Sequence, residues 1–131
     1  MLGALGALPD VDFLFGTHST YTHSLGAAAV VGILACVIAR PPRTPIALAA
    51  AAAYLSHILL DWLGDDTTPP IGIMALWPFD SGFYQSDLRW FMAISRRYWL
   101  SSFWTHNLAA VAWEVAYLGP IAAALAWWRS R

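Results

Sequence analysis

No lysine occurs in this chain, and its one cysteine, Cys36, lies inside an apolar run. A single cysteine excludes a disulfide framework. Placed among apolar residues, it reads as a small packed hydrophobe. The positive charge comes from arginine alone, and the formal net charge is −1. Such a balance gives no basic field for nucleic acid. Charged residues make up only 11% of the sequence, against roughly 25% in an average soluble domain. Hydrophobic residues reach 59%, there are eight tryptophans, and mean hydropathy is +0.54. These figures place the chain among membrane proteins. Its 131 residues fit one domain, 1–131. Residues 1–8 have no basic stretch of the kind that opens a signal peptide. They read as the end of a helix that runs into Pro9-Asp10. No internal repeat is evident, and the one compositional run is alanine at 49–53.

Three apolar stretches are long enough to matter: about residues 25–39, 46–63 and 108–128. A helix that spans the bilayer needs roughly 20 apolar residues. The third stretch meets this despite Glu114 and Pro120, and the second meets it if His57 and Asp61 face inward. The first reaches it only by starting near His23. Arg40-Pro41-Pro42-Arg43-Thr44-Pro45 cannot continue a helix, because proline removes a donor and clashes with the preceding turn. The first two stretches are therefore expected to form a helical hairpin within an all-α, polytopic membrane bundle.

What stands out against this apolar background is a set of six candidate metal ligands in two short clusters. Asp10, Asp12, His18 and His23 form the first, and His57 with Asp61 the second. Imidazole and carboxylate are the ligand set of zinc and its first-row neighbours. Burying them is costly unless they are paired or coordinated. His57 and Asp61 are four residues apart, so they share a helix face. Folding the chain about residue 42 puts position 23 level with position 61, each ~28 Å from the turn. The two clusters then converge at the end of the hairpin opposite the arginines. Asp10 and Asp12 point to opposite sides of an extended chain, so one is expected as a direct ligand and the other as the partner that orients an imidazole.

Arg40 and Arg43 at the turn, with Arg129 and Arg131 at the C-terminus, predict a cytoplasmic location for both. The metal end of the hairpin then faces outward. So does the long segment 64–106, which contains a turn at Asp65-Asp66-Thr67-Thr68-Pro69-Pro70. Residues 86–104, with Trp90, Phe91, Trp99, Phe103 and Trp104, read either as an aromatic helix lying in the head-group region or as a helix packed on the bundle. His106 reads as interfacial and Glu114 as one partner of an interhelical hydrogen bond. An acid inside a membrane span is also suspect as functional.

Leu8-Pro9-Asp10-Val11-Asp12, His18 through Thr22-His23-Ser24-Leu25, Tyr54-Leu55-Ser56-His57 through Asp61, and Leu76-Trp77-Pro78-Phe79 carry a resemblance. In order and approximate spacing, over about residues 8–80, they resemble the YdjM family of inner-membrane metal-dependent hydrolases. That family is similar in fold to zinc-dependent phospholipase C and the fungal single-strand nucleases, helical enzymes that cleave phosphodiesters with clustered zinc ions. The resemblance implies hydrolase chemistry. Two departures stand out. The family has His-Arg where this chain has His18-Ser19, and a helix carrying a histidine precedes the family's Pro-Asp motif. Only residues 1–8 precede it here, so that helix is expected to be missing.

The sequence therefore predicts a membrane-embedded metal-dependent hydrolase. One or two divalent ions, zinc first, would be held by Asp10 or Asp12, His18, His23, His57 and Asp61. The ion would activate water, with the spare carboxylate of Asp10 or Asp12 as general base. Expected partners are membrane lipids and a lipid or small-molecule phosphoester, in the cytoplasmic membrane of a bacterium or archaeon. The competing reading is a non-catalytic membrane protein with a closed structural metal site or a haem. The aspartates beside the histidines argue against haem.

Overall fold

A computed structural model describes residues 2–16, 18–95 and 97–131. The described residues form helices and irregular segments, with no β-strand among them. A short helix α1 (Leu2–Gly6) leads into a 3-10 turn at Pro9–Leu14. Then come α2 (Leu25–Ile38), α3 (Arg43–Leu63) and α4 (Phe103–Arg129). Both α3 and α4 are long and apolar enough to cross a membrane. With 14 residues, α2 is ~21 Å long, short of the roughly 30 Å hydrocarbon core.

Local chemistry sets the helix limits. Ser24 caps α2, its Oγ accepting from the Ala27 amide at 3.0 Å. Pro41 and Pro42 separate α2 from α3. Pro45 is tolerated in the first turn of α3, where amides have no intrahelical acceptor anyway. Pro120 sits inside α4, and the helix continues through it to Arg129. The helices α2 and α3 pack along each other, and α1 lies against α3. Gly32 lets the two long neighbours approach, since a Cβ there would stand 3.2 Å from the Ala51 Cβ.

Two irregular segments satisfy the free ends of these helices. The Ile73–Phe79 stretch crosses the start of α2, where the carbonyls of Ala75 and Trp77 accept from the amides of Leu25 and Gly26 at 2.9 and 3.1 Å. Residues 84–91 wrap the end of α3. Amides of Ser86 and Trp90 donate to the carbonyls of Trp62 and Leu63, and the Asp65 amide donates to Phe91 O. The main buried cluster is small, made of Ala28, Tyr54, Ile58 and Ile73, with Ala50, Met74, Phe91 and Ala110 buried outside it. Most other large apolar side chains are exposed, including Leu108, Val115, Ile121 and Leu125 along α4. Exposure on this scale marks a surface covered by something other than water.

The aromatic helix expected over residues 86–104 does not form. That segment is irregular, and the helix begins only at Phe103. Near its start, the amides of Ser86 and Trp90 and the carbonyl of Phe91 are spent on the end of α3, and Arg89 takes a φ of +44°. Its aromatic density was read as a helix, but the carbonyls left free at the end of α3 outweigh local propensity. The same segment anchors α4. Trp113 Nε1 donates to Trp90 O at 2.8 Å, Asn107 pairs with the Ser95 backbone, and His106 Nε2 donates to Ala93 O at 2.7 Å.

Gly26 tests how tightly residues 77–78 close over α2. A Cβ there would lie 2.6 Å from the Trp77 carbonyl and 2.8 Å from Pro78 Cδ. Gly26→Ala is expected to destabilise the protein by about 1–3 kcal/mol through overpacking, read as a lowered thermal midpoint in detergent. Gly3→Ala, where nothing lies within 4 Å, serves as the neutral control.

Candidate metal centre

Each cluster is placed by a different kind of structure. The first rides on the 3-10 turn and the loop that follows it, and the second on the last two turns of α3. Tyr54, one turn before His57, donates its hydroxyl to Thr22 O at 2.7 Å and ties the loop to the helix. The result is that His23 is 0% exposed and faces His57 across 5.3 Å between ring centroids.

Four donor atoms converge on one point. His23 Nε2 lies 3.2 Å from Asp61 Oδ2 and 3.6 Å from Asp10 Oδ1. His57 Nε2 lies 3.2 Å from Asp61 Oδ2 and 3.4 Å from Asp10 Oδ1. Both Nε2 atoms are buried and have no hydrogen-bond partner. An ion bound tetrahedrally by bonds of ~2.0–2.1 Å needs donors about 3.3 Å apart. The four imidazole–carboxylate separations bracket that value, so each imidazole fits with either carboxylate around a shared zinc-sized divalent cation. Asp10, His18 and His23 form a second group, and in each group of three the donors lie within 4.8 Å of one another.

Asp12 belongs to neither group and supports both. One carboxylate oxygen pairs with His18 Nδ1 at 2.9 Å, and the other with His23 Nδ1 at 3.0 Å. The second oxygen also accepts from Thr22 Oγ1 at 2.8 Å and from the Ser19 amide at 3.1 Å. Ser19 takes a φ of +65°, an uncommon region for a residue with a Cβ, and this turns its amide onto Asp12. His18 Nδ1 donates to Asp12 and His23 Nδ1 to Thr22 Oγ1 at 3.1 Å; a proton on each Nδ1 leaves Nε2 with a lone pair directed away from this network, the tautomer that a metal ligand requires. Phe13 stacks on the His18 ring at 3.9 Å. The Gly6 backbone in α1 lies beside the His57 ring.

A cavity of about 480 Å³ opens from this point. Asp10, His18, His57 and Asp61 line one side, and Glu114 and Leu118 of α4 line another. Asp65 and Asp66 also line it, but both are engaged. Asp65 pairs with Arg89 at 3.6 Å, and Asp66 accepts the amides of Thr68 and Gly72. Glu114 makes no hydrogen bond or ion pair among the described residues, so the interhelical bond expected of it is absent.

All six residues singled out in the sequence thus meet in one place. The sequence did not reveal the parts played by Phe13, Thr22, Tyr54 and the Gly6 backbone. Thr22 and Tyr54 fell inside the motifs, but nothing in their spacing pointed to a hydrogen bond between their segments. Glu114 was visible as an acid within a span; its opening into this cavity was not.

Burial on its own pushes the Asp12 carboxyl up. Hydrogen bonds from His18 and Thr22, together with the charges of His23 and His18, outweigh burial and hold it below the usual carboxylate value. A carboxyl depressed in the folded state stabilises the fold above its unfolded pKa of ~3.9. That contribution is lost as pH falls through the folded value. Asp12→Asn is expected to remove it and to cost about 1–3 kcal/mol at neutral pH, because an Nδ1 donor loses its acceptor. Unfolding measured in chelator from pH 7 to pH 3 checks this, since the variant's stability should fall less steeply on the acid side.

A family model described as YdjM inner membrane protein matches residues 1–130. The match extends well past residues 8–80, where the motifs lie. No curated protein and no solved structure matches the chain. With paired imidazoles and carboxylates at the end of an apolar helix and a family match along nearly its whole length, the chain belongs to the YdjM inner membrane protein family.

Proposed function

We propose that the protein is a metal-dependent hydrolase embedded in the cytoplasmic membrane, acting on a phosphate ester of a lipid or envelope component. In this reading the chain is a polytopic bundle, and α2 and α3 form a hairpin that carries the centre. The observation that supports it best is the pair of buried Nε2 atoms of His23 and His57, which have no hydrogen-bond partner and lie 3.2–3.6 Å from both Asp10 and Asp61. A buried nitrogen without a partner is costly, and a cation at that point removes the cost. A mixed nitrogen and oxygen donor set suits zinc.

Asp10, His23, His57 and Asp61 would hold the ion, with His18 flanking them. A divalent cation there supplies Lewis acidity, lowering the pKa of water and polarising an ester oxygen. Asp12 fixes the imidazoles of His18 and His23. Both its oxygens are occupied, so it has no free position for an incoming water. Asp10 has a side chain 43% exposed, against 6% for Asp12. It borders the cavity and is the carboxylate placed to accept a proton from water as it attacks. The open cavity favours this reading over a closed structural site, because catalytic centres keep a position for substrate. Haem has no support, since Asp10 and Asp61 stand within 3.6 Å of the imidazole nitrogens that would face it.

His57→Ala is expected to abolish metal binding, and Asp61→Asn to weaken it. Asp12→Asn should cost about 10–100-fold in metal affinity, the usual effect of losing an orienting partner. Elemental analysis of the purified variants, run beside a phosphodiesterase and phosphatase screen, checks all three. Full metal loading in His57→Ala would sink the assignment.

Orientation is proposed from the arginine pairs, which put the Arg40–Pro45 turn in the cytoplasm and the centre on the outer side. In a Cys36→Ser background, Thr44→Cys should resist a membrane-impermeant thiol reagent in intact cells and react after lysis. Ready labelling in intact cells would reverse the orientation and move the substrate to the cytoplasmic face.

A further inference from the structure

Glu114 is the chain's one glutamate, and it lies within α4. The neighbouring Trp113 reaches Trp90, whose amide in turn caps Leu63. Glu114 therefore stands level with the C-terminal end of α3, where the metal centre is. The 21 residues of α3 give ~31 Å, about the thickness of the hydrocarbon core. Its C-terminal end thus reaches the level at which lipid phosphates sit.

The cavity lies between α3 and α4, to which Leu60 and Leu118 respectively contribute. These two long helices do not pack along each other, and the cavity fills the space between them.

The charges around the cavity are one-sided. Five carboxylates line it, those of Asp10, Asp61, Asp65, Asp66 and Glu114, and no arginine does so among the described residues. Asp10 and Asp61 face the metal point. Asp65 has Arg89, and Asp66 has two amides. Among the described residues, Glu114 alone of the five finds no partner. Independently, the unpartnered Nε2 of His23, on a side chain that is 0% exposed, is aimed at the same centre. The cavity thus offers a place for an anion on a cation at one end and an uncompensated carboxylate at the other.

We propose that this cavity receives the head group of a zwitterionic, amine-bearing phospholipid through the gap between α3 and α4, with Glu114 as the counter-charge to the lipid's cationic nitrogen. The proposal rests on the reading of the centre as a phosphoester site and names its substrate class. The phosphodiester lies at the metal end. The ammonium group lies against Glu114, where it supplies the partner that an acid in a span otherwise lacks. The acyl chains stay in the bilayer. An anionic lipid of the same size offers Glu114 only neutral hydroxyl donors, and its net negative charge is repelled by it.

The test uses metal-loaded, full-length protein in mixed micelles with equal amounts of phosphatidylethanolamine and phosphatidylglycerol of identical acyl chains. Lipid retained by the protein is read by native mass spectrometry, and hydrolysis of each lipid is followed separately. Wild type should retain phosphatidylethanolamine over phosphatidylglycerol by about tenfold, the size of one charge-assisted hydrogen bond. Glu114→Gln should lose that preference with metal content unchanged, and Glu114→Asp should keep most of it. Leu118→Trp, which narrows the gap, should lower retention of both lipids. Equal retention of the two lipids by wild type overturns the proposal, whether or not the variants fold. So does an undiminished preference in Glu114→Gln. If phosphatidylethanolamine is held through Glu114 but not cleaved, the hydrolase reading fails and the lipid site stands. If both lipids are cleaved at equal rates and held equally, the hydrolase reading stands and the lipid site fails.

Discussion

The buried carboxylate of Asp12 is the interaction on which the rest of the centre depends. Removing a carboxylate from water is expensive unless it is fully hydrogen-bonded. Here both oxygens are engaged by two imidazoles, a hydroxyl and a backbone amide. Those four partners come from Ser19 and from residues 18, 22 and 23, so one side chain organises the whole loop. The His18 bond sets that ring's tautomer directly, and Thr22, which donates to Asp12, accepts from His23 Nδ1 and sets the other. Packing and chemistry are therefore joined: a loop that lost Asp12 would lose its shape and the direction of its ligands together.

The apolar helices supply what such a loop cannot. A buried loop has backbone groups that need partners, and here they find them at helix ends. The Ile73–Phe79 stretch takes the first amides of α2, and the 84–91 segment takes the last carbonyls of α3. The polar centre sits beside these ends, where the long apolar helix α3 terminates. The mostly exposed, apolar α4 is held through residues 90–95 rather than by packing on α3, which leaves a cavity between the two spans.

Much of the candidate site was legible in the sequence because helix geometry is local. A spacing of four puts His57 and Asp61 on one face whatever surrounds them. The prolines at 41, 42 and 45 limit where helices can run, so positions 23 and 61 come level by counting residues. The segment 86–104 was misread because its partners are distant. Its aromatic content fits a helix, but the open carbonyls that claim its amides belong to α3, and no local pattern reveals them.

Sequence alone determined that the chain is apolar, mainly helical, built around three apolar stretches, and provided with a ligand set fit for a divalent cation. Those properties follow from residue type and from the fixed 3.6-residue period of a helix. Tertiary structure alone decided how the two aspartates divide their roles. Asp10 turns to the common point and Asp12 to the Nδ1 atoms behind it, because a 3-10 turn rather than an extended strand carries them. It also decided that Glu114 faces the same cavity. That depends on how the 90–95 segment holds α4, and contacts between residues so far apart in the chain leave no periodic trace in the sequence.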